Sequence, residues 1–146
     1  MSRHSRARVL VHLVWATRHR RRWLPPTFDE ELVAMLGAKA HEAGCCLLAA
    51  GCASDHVHAL VHVAPTIALA ELVQRMKGAS AFDINQHRLL EQRFAWQHGY
   101  WAESVRPSDG DRLTMYVREQ RRHHDEGHTA ERWLRDDQTE PASGGL

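Results

Sequence analysis

Hydrophobic and polar positions along this chain switch between two periods. Residues 8–17, reading RVLVHLVWAT, are dense in branched and aromatic side chains and predict a buried strand, stopped by an arginine cluster and Pro25-Pro26. From 29 to 43 the apolar positions Leu32, Val33, Leu36 and Ala40 recur at helical spacing, and Gly44 stands where a C-cap belongs. A short apolar run at 45–52 predicts a second strand. Ser54-Asp55 then turns into a third strand over 55–63, with His56, His58, Leu60 and His62 on one face and Val57, Ala59, Val61 and Val63 on the other. Pro65 opens a second helix whose stripe, Ile67, Leu69, Leu72, Val73 and Met76, closes near Lys77-Gly78, and the pattern leaves open whether it resumes through Ala79 to Leu90. A fourth strand is expected over 94–105, bent at Gly99. A last helix starts at 108–111, carries Leu113, Tyr116, Val117, Gln120 and His124 on one face, and ends by Gly127; residues 139–146 read as disordered.

This order predicts an α+β fold: a ferredoxin-like split βαββαβ unit, one antiparallel sheet with helices on one face, plus a C-terminal helix carrying the tyrosine. The other face of the sheet is left for something else to cover. The expected organisation is one domain over 1–124 and an acidic extension over 125–146. A chain of 146 residues suffices for one such core. It has no run of ~18 apolar residues that could span a membrane, and its N-terminus does not read as a signal peptide. Three cysteines without paired spacing suit a reducing cytoplasm and are expected as small core residues.

Net charge is only +1, but its distribution is uneven. Seven arginines and no acidic residue lie between Met1 and Phe28, whereas six acidic residues face two arginines from Asp125 onward. A basic face suits a polyanion, since guanidinium forks pair with phosphate oxygens; a solvated face is the plain alternative.

Two patterns carry chemistry. In His56-Val57-His58, strand geometry projects both imidazoles to one side, where they can share a metal; otherwise they are a half-exposed pair in a chain with twelve histidines. Tyr116 and Gln120, at i and i+4, lie adjacent on a helix. A phenol oxygen can attack phosphorus and an amide oxygen can ligate a metal, while the plain reading of Tyr116 is a core aromatic beside Leu113 and Val117.

In this order the motifs resemble the single-tyrosine HUH transposases of the insertion-sequence 200/605 type, including the relatives associated with repetitive extragenic palindromes. The resemblance runs from about Val9 to His124. It rests on VHLVW through Arg18-His19-Arg20-Arg21, on DHVHALV at 55–61, on LVQRMKGAS at 72–80, on WQHGYW at 96–101 and on YVREQ at 116–120. It implies a transposase that is a metal-dependent single-strand DNA endonuclease and strand transferase. His56, His58 and Gln120 would bind magnesium or manganese, and Tyr116 would form a 5′-phosphotyrosine and free a 3′-hydroxyl. It also implies a homodimer in which the tyrosine helix can serve the partner. The alternative is a domesticated relative that binds DNA hairpins without cutting.

Imidazole ligands would admit zinc or nickel as well. Arg18, Arg20, Arg21, Arg22, Arg75 and Lys77 are candidate DNA-backbone contacts. His62 is expected to be exposed, most tryptophans to be core, and 121–124 to be a solvated helix end. A histidine-triad hydrolase is excluded by Leu60, which stands where its third histidine would be.

Overall fold

The computed structural model describes residues 5–87, 90–121 and 132–134. Four strands, β1 (Leu10–Ala16), β2 (Cys46–Cys52), β3 (His56–His62) and β4 (Trp101–Val105), form one antiparallel sheet in the order β2-β3-β1-β4. The helices are α1 (Asp29–Glu42), α2 (Leu69–Gln86) and α3 (Gly110–Arg118). This is the split βαββαβ arrangement with the expected C-terminal helix. Its two central strands, β1 and β3, are the ones richest in branched residues.

Alternation in the strands sorts side chains to two faces. Val11, Leu13 and Trp15 of β1, Ala50 and Cys52 of β2, and Val57, Ala59 and Val61 of β3 pack on one side with Leu32, Leu36 and Ala40 of α1 and Leu72, Val73, Met76 and Ile84 of α2. Burying each large apolar side chain contributes about 1.5–3 kcal/mol, so this layer holds most of the stability. On the other side α3 lies over β2 and β3 and sets Val117 against Ala49 and Leu60. Leu134, within the expected acidic extension, covers Val14 and Ala16. This chain's own residues therefore cover part of the second face.

The element boundaries differ from expectation in three places. α2 begins at Leu69, not at Pro65, and its continuation, left open by the pattern, runs through Gly78 to Gln86. One interior glycine costs a helix only about 1 kcal/mol, and Met76, Ser80 and Ile84 prolong the buried stripe past it. α3 stops at Arg118, so Gln120 lies in the following turn. The fourth strand is divided: Trp96 makes an isolated bridge to Thr17, Gly99 turns the chain at φ 84°, and only 101–105 joins the sheet as β4. His124, Gly127 and 139–146 lie outside the described residues.

Among the described residues, no helix is long and apolar enough to cross a membrane. Cys45 and Cys52 are buried as expected, whereas Cys46, at the edge end of β2, is exposed.

Candidate functional site

β3 presents His56 and His58 to the face under α3, both buried, with ring centroids 5.1 Å apart. Tyr116, on the underside of α3, sets its ring edge-on to His58 at 5.5 Å. The phenol, half-buried, and the histidine pair thus meet within one subunit.

Glycine at 51 makes that approach possible. Gly51 is the β2 residue opposite His58, and a Cβ there would overlap the Val117 carbonyl oxygen and crowd the Arg118 backbone. With no side chain in the way, the end of α3 rests directly on β2. Beyond it the chain turns, and Arg121 grips Asp29 through two contacts of 3.0 and 2.8 Å and the Leu24 carbonyl at 2.8 Å. Arg121 is therefore clamped to the start of α1 rather than forming a solvated helix end.

Between these two anchors sits Gln120, only 1% exposed. Its amide nitrogen donates to the Tyr116 carbonyl at 2.8 Å. A carbonyl can only accept, so the orientation of the amide is settled by chemistry. Gln120 Oε1 is then a buried acceptor without a hydrogen-bond partner among the described residues. Such an atom costs about 1–3 kcal/mol unless something electropositive meets it.

The histidines are held from behind. His56 Nδ1 lies 2.7 Å from the Asp55 carboxylate, which accepts its proton. Burial opposes the charge on Asp55, but the hydrogen bonds and charges of His56 and Arg20 outweigh it and hold the carboxyl below its ordinary value. Arg20 reaches Asp55 at 3.0 Å and the Leu134 carbonyl at 2.8 Å. It does so from two successive left-handed residues, His19 at φ 56° and Arg20 at φ 55°. Each costs roughly 1–2 kcal/mol for a side chain with a Cβ, and the ion pair and the bond from Arg20 N to Thr17 O offset the strain. His58 Nδ1 meets His12 Nε2 at 2.9 Å. Each ring thus turns its Nδ1 to a neighbouring side chain.

Among the described residues no three His, Cys, Asp or Glu side chains gather as a metal site. The candidate donor set is instead two imidazoles and one amide, as the orphaned oxygen of Gln120 suggests. The chemistry of these donors suits a divalent ion: all three are neutral and would leave its full charge to act on an anionic ligand.

The candidate DNA-contacting residues divide into two groups. Arg18, Arg21 and Arg22 are exposed beyond β1, Arg21 lying over the Trp23 ring at 5.6 Å. Arg20 is committed to Asp55, Arg75 pairs with Glu71 at 2.7 Å, and Lys77 donates to the Gln97 and Gly99 carbonyls. His62 is half-buried, not exposed, with Nε2 3.2 Å from the Ala7 carbonyl oxygen. Trp15, Trp23 and Trp96 are core; Trp101 is half-buried against His12. Sequence reading missed His12, Gly51, the Asp55–Arg20 pair and the Arg121 clamp. A glycine inside a strand was the one available signal, since it marks close backbone approach.

A split βαββαβ sheet whose central strand turns a histidine pair toward a tyrosine helix defines the single-tyrosine HUH class. The chain belongs to the IS200-like transposase family: the family profile described as "Transposase IS200 like" matches residues 5–120. Among solved structures it is similar to a putative transposase from Deinococcus radiodurans R1, with 25% identity and a TM-score of 0.66 over 83% of this chain and 97% of that one. A REP-associated tyrosine transposase bound to a REP hairpin shares the fold, with 16% identity and a TM-score of 0.56 over 80% of this chain and 70% of that one. No curated protein sequence matches.

Proposed function

We propose that this protein cuts and rejoins single-stranded DNA, with Tyr116 as nucleophile and with His56, His58 and Gln120 holding a magnesium or manganese ion. The observation that carries the reading is the Tyr116 ring standing 5.5 Å from His58 on a face that also buries His12, His56 and Gln120. The phenol oxygen attacks phosphorus, the bond from phosphorus to the 3′ oxygen breaks, and the phenol proton leaves to solvent while the 3′ oxygen gains one. The products are a 5′-phosphotyrosine and a 3′-hydroxyl. Attack by another 3′-hydroxyl reverses the step and joins strands without a nucleotide cofactor, because the phosphodiester energy is kept in the phosphotyrosine. A bound divalent ion would supply Lewis-acid charge and a template for the phosphate.

A cleft of about 630 Å³ beside Tyr116, lined by His12, Glu103, Ser104, Arg106 and Arg112 among others, gives the strand a place to lie. The exposed Arg18, Arg21 and Arg22 suit its phosphates. A hairpin-bearing strand is supported by the relative whose structure holds a REP hairpin. The cis pairing of Tyr116 with His58 is the arrangement we favour; a homodimer exchanging α3 is the other.

Incubation with labelled single-stranded DNA bearing hairpins and manganese should give covalent protein–DNA adducts, absent in Tyr116→Phe. Adducts that persist in that variant would refute the assignment. Hairpin binding without adducts by the parent protein would favour the non-cutting reading. Mixing Tyr116→Phe with His58→Ala subunits should restore nothing in the cis arrangement; recovered adducts would mean that the helix is shared between subunits.

A further inference from the structure

We propose that His12 is a positioning residue for His58, accepting its Nδ1 proton and so fixing the tautomer that offers Nε2 to the metal. The inference rests on the reading of His58 as a ligand, and extends it to a residue outside the His56-Val57-His58 motif. His12 lies on β1, directly opposite Leu60 and diagonal to His58, close enough for the two rings to meet across the strands. The rings stack at 5.1 Å and 29°, and His12 Nε2 is 2.9 Å from His58 Nδ1.

Two nitrogens at that distance share one proton, and only one direction is compatible with a metal. If His12 donated, neutral His58 would carry its own proton on Nε2 and could not ligate there. Its Nδ1, already in contact with His12, has no room for an ion. His58 must therefore donate, and neutral His12 must carry its proton on Nδ1. The ring of His12 is held in place for this task. It is 2% exposed, edge-on to Trp101 at 5.0 Å and to Tyr116 at 6.2 Å. The result parallels Asp55 behind His56: each of the two candidate histidine ligands has its Nδ1 taken by a neighbouring side chain, at 2.7 Å for His56 and 2.9 Å for His58. Partners of this kind typically raise metal affinity about 10- to 100-fold by orienting the ring.

The tautomer can be read without metal. Long-range ¹H–¹⁵N correlation spectra of the metal-free protein, with His58 assigned by its loss in His58→Asn, should show the proton on Nδ1. In His12→Phe, which keeps a ring but removes the acceptor, His58 should shift toward the Nε2-protonated form. Manganese binding, followed by the paramagnetic resonance of free ion, should weaken about 10- to 100-fold. His12→Gln, whose side-chain oxygen can take the same proton, should recover much of both signals. If His12→Phe does not fold, the parent spectrum and His12→Gln still decide. A parent that binds manganese while His58 carries its proton on Nε2, or a His12→Phe protein that binds it as tightly as the parent, would overturn the role of His12 alone. A parent that takes up no manganese would overturn the metal reading as well.

Discussion

The two faces of the sheet are made by the same four strands but are covered in opposite ways. Under α1 and α2, of 14 and 18 residues, the apolar side chains form one continuous layer from Val11 to Ile84. Under α3, of nine residues, the cover breaks into two patches, one around Leu60 and one around Val14, and His12, His56 and His58 are buried on the same face. A short helix cannot seal a face, and here the incomplete seal admits polar groups and a cleft. The continuous apolar layer lies on one side of the sheet and the candidate site on the other.

The sharpest test of that division is Leu36→Ala on the continuous face. Removing a fully buried leucine there should lower the unfolding free energy by about 2–5 kcal/mol in urea denaturation, with adduct chemistry retained by the molecules that remain folded. An equal loss of stability from Tyr116→Phe would erase the contrast. Gly51→Ala probes the other face. The new methyl must push α3 off β2, so we expect about 1–3 kcal/mol of destabilisation and a loss of adduct yield out of proportion to it. If the variant keeps its adduct yield, the backbone seat is not what positions Tyr116.

Cys52, the next residue, faces the continuous layer, where burial first and then Asp29 push its thiol up to about 12 from 9.0. The folded state keeps this proton while the unfolded chain loses it, so the contribution is intact below pH 9 and falls away as pH rises toward 12. The cost is about 1 kcal/mol by pH 10. Urea titrations at pH 8 and 10 should show a smaller decline for Cys52→Ala than for the parent. Identical declines would place the thiol in contact with solvent.

What could be read beforehand was local. Period-2 alternation put His56 and His58 together, and the 3.6-residue spacing located α1 and the stripe of α2. Tyr116 and Gln120 were recognisable as neighbours, although the chain leaves the helix between them. His12 was beyond reach because its meeting with His58 depends on the register of two strands 46 residues apart, which no single-strand pattern encodes. Arg20 looked like one of several phosphate contacts because nothing local announces a left-handed pair without glycine. Asp55 read as a turn residue, and its second duty to His56 became visible only once the turn was built.

The bare backbone at position 51 also dictates how the tyrosine helix can move. Side chains interposed between two elements can rotate and let them breathe, but a peptide resting on a peptide has no such play. The C-terminal end of α3 is thus closely seated, whereas at its first residue the nearest neighbour of a would-be Cβ on Gly110 is the tip of Leu10 at 4.0 Å. Tilting α3 about its Val117 end would therefore disturb less packing than lifting that end away from β2.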